Sequence, residues 1–196
     1  MSTDDDKLQI VAFSTNETHQ TPIDIINTFL EQQNHVILKK TRSAIAFSTT
    51  LRNSTKPTRI MICSIINLGR EYTGITDVNC YMIFVDLEQE TSKEKFDSII
   101  NYAKDYCELS KKVFILGMTN ANKTTEKTNI KITKDDITSF LENSDISYEY
   151  NEIDLSNIKE ICDKIMNILI YSSKNAISGE LVQQFEKDQS GSCNIL

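Results

Sequence analysis

Cys80-Tyr81-Met82-Ile83-Phe84-Val85-Asp86 is apolar throughout until it closes on a carboxylate. A short apolar run without alternation suits a strand buried on both faces, as in a parallel sheet covered by helices. Just downstream, Thr91 stands three residues before Glu94 as a capping box. Phe96, Ile99, Ile100, Ala103 and Cys107 then follow at helical spacing. Val113–Gly117 is a second short buried run. Strand, helix and strand in that order imply a parallel crossover.

The same grammar extends in both directions. Towards the amino terminus lie the strand Leu8–Phe13 and a helix opened by Thr21-Pro22, an N-cap with proline at the first helical position. Ile23, Ile26, Phe29 and Leu30 share one face of that helix. Ala44–Leu51 and Arg59–Ile66 are joined by a short polar stretch holding Asn53, Ser54 and Pro57, which reads as an antiparallel hairpin. Towards the carboxyl terminus, a helix starting near Thr133 carries Ile137, Phe140 and Leu141 and leads to the strand Ile146–Tyr150. A last helix carries Ile158, Ile161, Cys162, Ile165, Ile168 and Leu169 as one stripe. The expected architecture is α/β: a doubly wound sheet of six strands with one antiparallel edge strand and helices on both faces. The expected boundaries are a disordered segment 1–6, one domain over 7–171, and a helical or flexible tail over 172–196.

The bulk figures agree with one globular domain. The chain has 196 residues, 39% hydrophobic and 25% charged. Its net charge of −7 would repel phosphate backbones, which argues against nucleic acid as a partner. No apolar run is long enough to span a bilayer and no signal-peptide pattern opens the chain, so a reducing cytosol is expected. The five cysteines form no CxxC pair, and neither His19 nor His35 stands at metal-ligand spacing from them, so no metal is expected. Cys63, Cys80, Cys107 and Cys162 sit in apolar patterns and read as small buried hydrophobes.

This order of elements resembles the Ras superfamily of small GTPases, the Rab branch best, and so implies a P-loop-NTPase-like fold. Tyr81–Asp86 is similar to the family's fourth strand with its terminal Asp. Phe96-Asp-Ser-Ile-Ile-Asn-Tyr102 resembles the Rab pattern on the third helix, and Val113–Gly117 the fifth strand. Asn157-Ile-Lys-Glu-Ile161 resembles the opening of the last helix. Leu68-Gly69-Arg70-Glu71-Tyr72 is similar to the second switch region.

The residues that bind and hydrolyse GTP in that family are largely replaced. A phosphate-binding loop needs glycines whose neighbouring N–H groups wrap the phosphates, a lysine for the β and γ charges, and a Ser/Thr hydroxyl for Mg²⁺. Here the loop reads Ser14-Thr-Asn-Glu-Thr-His-Gln-Thr-Pro22, with no lysine, and Gly69 is the first glycine in the chain. Thr18 and Thr21 are the residual candidates for phosphate and Mg²⁺, with the N-cap as the competing reading of Thr21. Ile66 stands where the resemblance implies a Mg²⁺-directed Asp, and Arg70 where it implies the water-orienting Gln. The guanine-reading Asn-Lys-x-Asp aligns with Met118-Thr119-Asn120-Ala121, leaving Asn122-Lys123 four residues late as the alternative. The Ser-Ala-Lys loop aligns with Asn151-Glu152-Ile153. One charged contact contributes about 1.5–3 kcal/mol, so losing several moves nanomolar binding towards millimolar.

Cys193-Asn194-Ile195-Leu196 reads as a C-a-a-X signal, with Leu in the position that favours geranylgeranyl. One prenyl chain binds membranes only reversibly, and no polybasic cluster adjoins it, so residence there calls for a protein partner. The expectation is a catalytically dead, Rab-like adaptor in vesicle trafficking or signalling: cytoplasmic, peripherally membrane-bound through Cys193, and serviced by prenyl transferase machinery. Arg70, Glu71 and Tyr72 are its candidate contacts for effector or regulator proteins. No catalytic residue and no cofactor is expected. The alternative is a divergent GTP-binding switch using GTP or GDP with Mg²⁺. A third reading is an unrelated α/β enzyme with Asp86 in a pocket at the carboxyl ends of the strands.

Overall fold

The computed structural model describes residues 7–16, 21–32, 35–52, 54–65, 77–106, 111–120, 131–142 and 146–174. Among these, seven strands form one sheet: β1 (Lys7–Ser14), β2 (Val36–Lys40), β3 (Ala44–Thr50), β4 (Pro57–Ile65), β5 (Cys80–Asp86), β6 (Val113–Thr119) and β7 (Tyr148–Asp154). Four helices accompany them: α1 (Pro22–Glu31), α2 (Ser92–Tyr106), α3 (Lys134–Leu141) and α4 (Ile158–Lys174). The strand order is β2-β3-β4-β1-β5-β6-β7. β4, β1, β5, β6 and β7 are mutually parallel, while β3 runs antiparallel to both β2 and β4.

Two expectations need correction. The sheet has seven strands rather than six, and its antiparallel strand β3 is not an edge, because β2 lies outside it. Val36–Lys40 escapes sequence reading because four of its five residues are exposed. A strand that buries neither face shows neither alternation nor a continuous apolar core run. β7 also runs four residues past Tyr150, its polar residues Glu149, Asn151 and Glu152 belonging to the opposite edge of the sheet. Asn151-Glu152-Ile153 is therefore strand and not loop, and Met118 and Thr119 likewise lie inside β6.

Alternation along each strand divides the core in two. Leu8, Ile10 and Ala12 of β1 join Cys80, Met82 and Phe84 of β5 and Phe114, Leu116 and Met118 of β6 against α1 and α4. Val11 and Phe13, with Tyr81, Ile83, Val85, Val113 and Ile115, pack against α2 and α3. The sheet is thus covered by helices on both faces. Phe13, Phe29, Phe47, Phe84 and Phe96 are each less than 2% exposed. Burial of such a side chain contributes about 1.5–3 kcal/mol.

Helix starts follow the chemistry read from the sequence. Thr21 caps α1 and Thr133 caps α3, each in a box with the aspartate three residues on, Asp24 and Asp136. Asn157 Oδ1 accepts from the Glu160 N–H at the start of α4. That helix continues to Lys174, and Ser172 near its end is buried. The Ser172 hydroxyl lies 2.9 Å from Cys80 Sγ. Cys63, Cys80 and Cys162 are buried and free, as expected, and burial pushes the Cys63 thiol up to about 11 and the Cys80 thiol up to about 12. Cys107 lies outside the described residues. At Gly117 of β6 a Cβ would stand 2.6 Å from Tyr150 Oη and 3.0 Å from Leu87 Cδ1, so a larger residue there would have to displace the Tyr150 ring. Among the described residues no helix is long and apolar enough to cross a membrane.

His35 leads into β2 and holds it to the core. Its ring lies 4.7 Å from that of Phe29 and 5.8 Å from that of Phe47, measured between centroids. Both ring nitrogens are enclosed without a hydrogen-bond partner, and desolvation lowers the imidazole's pKa from the ordinary 6.5. The native state therefore binds fewer protons than the unfolded chain below that value, so stability is lost as pH falls there. Urea midpoints measured downward through pH 6.5 should decline, and His35→Leu should flatten that part of the profile.

Candidate functional site

In an open α/β sheet the place for a ligand is the crevice at the carboxyl ends of the strands, where neighbouring connections leave to opposite faces. Here that point lies between β1 and β5. The chain leaving β1 enters α1 on one face, and the chain leaving β5 enters α2 on the other. β1, β5 and β6 end in polar residues, Ser14-Thr15-Asn16, Asp86-Leu87-Glu88-Gln89 and Thr119-Asn120, and the largely polar β7 ends in Asp154-Leu155-Ser156 beside them.

These polar ends are bonded chiefly to one another. The Thr15 N–H donates to the Phe84 carbonyl at 3.0 Å, which extends the β1–β5 pairing by one residue. Thr15 Oγ1 accepts from the Asp86 N–H at 2.9 Å and lies 3.0 Å from Ser92 Oγ, the first residue of α2. Thr15 and Ser92 are fully buried. Asn16 Nδ2 donates to Asp86 Oδ2 at 3.0 Å, and the Glu88 N–H donates to Asp86 Oδ1 at 3.0 Å. Both oxygens of the carboxylate are thereby engaged.

A second arm ties β5 to β6 and β7. Glu88 Oε1 accepts from the Asn120 N–H at 2.9 Å, and the Leu87 N–H donates to the Met118 carbonyl at 3.0 Å. The Leu155 N–H reaches the Thr119 carbonyl at 2.8 Å, while Asp154 Oδ1 accepts from both the N–H and the hydroxyl of Ser156. Gln89 Oε1 is enclosed without a partner. Among the described residues no lysine or arginine pairs with Asp86 or Glu88, and the described strand ends are polar and cross-linked. Also among the described residues, no three His, Cys, Asp or Glu side chains gather as a metal-ligating group.

The start of α1 is the other place where an anion would be received. Thr21 Oγ1 donates to Asp24 Oδ2 at 2.8 Å and accepts from the Asp24 N–H at 3.3 Å. The Thr21 N–H donates to the same carboxylate oxygen at 2.9 Å. Pro22 brings no N–H of its own. Thr21 is therefore an N-cap whose hydroxyl is committed to its own helix. Of the other sequence candidates, Thr18, Gly69, Arg70, Glu71, Tyr72, Asn122, Lys123 and Cys193 lie outside the described residues. Asp86 stands at the carboxyl end of β5. Thr15, Asn16, Glu88 and Ser92 were not singled out from sequence, and their only signal is polarity immediately after an apolar run.

Thr15→Val keeps the side chain's shape but strands the Asp86 N–H and the Ser92 hydroxyl in a buried setting. It should cost about 1–3 kcal/mol in denaturant unfolding, whereas Thr28→Val on exposed α1 surface should cost far less. No protein-family model matches this chain, and no curated protein matches it in sequence.

Proposed function

We propose that the protein is a Ras/Rab-like small GTPase-family adaptor that does not turn over nucleotide and acts by binding effector or regulator proteins in vesicle trafficking or signalling. The family reading is supported by element order: β1 and α1, the antiparallel run β2-β3-β4, then the units β5-α2, β6-α3 and β7-α4, with helices on both faces of the sheet. In this reading the sheet is the P-loop-NTPase-like, doubly wound type.

What supports the loss of nucleotide binding is that the described polar groups after β1 and at the start of α1 are already bonded within the chain. A phosphate at the start of α1 would meet the Asp24 carboxylate already seated on the Thr21 N–H, and like charges repel there. A ligand between β1 and β5 would have to part Asn16 from Asp86 and expose Thr15 and Ser92. GTP, GDP and Mg²⁺ therefore have no part in this reading, and they belong to the alternative of a divergent switch.

A ligand present at about 100 times its Kd stabilises the native state by about 2.7 kcal/mol, a shift of several degrees in melting temperature. Thermal unfolding with millimolar GTP or GDP, with and without Mg²⁺, should leave the midpoint unchanged. A magnesium-dependent rise would overturn the adaptor reading in favour of the switch.

The membrane part of the proposal rests on Cys193-Asn194-Ile195-Leu196. Incubation with geranylgeranyl pyrophosphate and a type I prenyltransferase should add one geranylgeranyl group to the intact mass, and Cys193→Ser should abolish it. An unmodified wild-type chain would remove the lipid, and with it the peripheral cytoplasmic-membrane location, from the proposal.

A further inference from the structure

The ring of His35 closes a triangle with Phe29 of α1 and Phe47 of β3, whose own centroids are 6.3 Å apart, and both phenylalanines are 0% exposed. Neither imidazole nitrogen meets solvent or a hydrogen-bond partner. A neutral imidazole always carries one N–H, so a donor is left unsatisfied at a cost of about 1–3 kcal/mol. An apolar ring would fill the same place without that cost. Protonation makes the position worse, because it adds a second N–H and a net charge. Among the described residues no carboxylate offsets that charge. The acidic groups of α1 are Asp24, seated on the Thr21 cap, and Glu31, exposed at the end of the helix. β3 has no titratable group, and β2 brings only the positive charges of Lys39 and Lys40.

The strand that follows is weakly held at this end. Val36 is 62% exposed and Ile37 52%, so little apolar burial opposes their release. Val36 opposes Ser48 and Ile37 opposes Phe47. Lys39 then opposes Ala46 and Lys40 opposes Ile45, so the ladder is interrupted at Leu38, an extra, bulged residue. Beyond the bulge the chain is pinned. The Thr41 N–H donates to the Ala44 carbonyl at 2.8 Å, and Thr41 Oγ1 accepts from the Ala44 N–H at 2.9 Å. The amino half of β2 therefore has a natural breaking point that the carboxyl half does not share.

We infer that His35 is an acid-operated latch: on protonation its ring leaves Phe29 and Phe47 for water, and residues 35–37 part from β3 as far as the Leu38 bulge, the rest of the sheet staying formed. The released ring ionises near the ordinary 6.5 and the enclosed ring below it. The open form therefore binds more protons, and its population rises by up to about tenfold for each pH unit below 6.5 until the enclosed ring itself titrates. A histidine with this placement makes the order of one strand end depend on pH across the mildly acidic range. The inference is independent of nucleotide and lipid, since it involves only α1, β2 and β3.

The test is amide hydrogen exchange on the full chain at about pH 7.5 and about pH 5, read residue by residue by NMR and corrected for the intrinsic pH dependence of exchange. Whichever amide of Val36 and Ile37 bonds to β3 should lose at least about tenfold in protection at the lower pH. The β3-bonded amide of Lys39 and Lys40, and those of Cys80–Asp86, should change less than about twofold. His35→Phe keeps an aromatic ring but takes up no proton, so protection of the Val36–Ile37 amide should hold at both pH values. The imidazole resonance of His35 in the wild-type chain, told from that of His19 by a His19→Gln variant, should titrate below 6.5. That second reading does not depend on His35→Phe folding. An undiminished protection in the wild type, an equal loss in His35→Phe, a loss shared by Lys39–Lys40 or by Cys80–Asp86, or an imidazole titrating at or above 6.5 would each overturn the inference.

Discussion

β1 is held between β4 and β5, and its two faces are claimed by two different pairs of helices. Everything else in the molecule follows from that double confinement. A strand paired on both sides has its main-chain groups engaged, and with both faces covered its central run, Ile10–Phe13, is wholly apolar. Polar chemistry is thereby driven to the strand termini, and the residues after Phe13 inherit the task of closing the sheet. Ser14, Thr15 and Asn16 do so by bonding to β5 and to the start of α2.

The parts of the fold legible in the sequence are those in which burial imposes a period. Cys80–Asp86 and Val113–Gly117 are continuous apolar runs because both faces are covered, and the stripe from Ile161 to Leu169 repeats because α4 buries one side. Thr21 and Thr133 were legible as helix starts because an N-cap is a local chemical device needing no tertiary information. Val36–Lys40 had no such signature. Its exposure removes the period, and its strand character exists only because β3 offers a free edge. The polar end of β7 was missed for the related reason that an edge strand tolerates Glu149, Asn151 and Glu152.

The crevice was legible in position but not in composition. Asp86 closes an apolar run, and a carboxylate at the end of a parallel strand is conspicuous. Its partner Asn16 is 70 residues away in sequence, and Ser92 is 77 residues from Thr15. Such pairings follow from the juxtaposition of β1 and β5, which no local pattern encodes. The family resemblance draws attention to absent lysines and glycines. In the structure the small hydroxyl and amide side chains of Thr15, Asn16 and Ser92 bond to one another and to the end of β5.

The placement of β1 has a consequence for how the chain reaches this state. Lys7 pairs with Arg59, and Ile10 pairs with Cys80, so β1, which precedes both partners in the chain, cannot complete either ladder until they have been synthesised. Contacts this distant carry a loop-closure cost before they return any stabilisation, which slows folding relative to local topologies. During that interval Leu8–Phe13 is an apolar segment with two open edges, the kind of species that holdase chaperones retain and that aggregates at high concentration. The hairpin β3–β4, by contrast, is local, can form early, and supplies a ready template along the β4 edge on which β1 can dock.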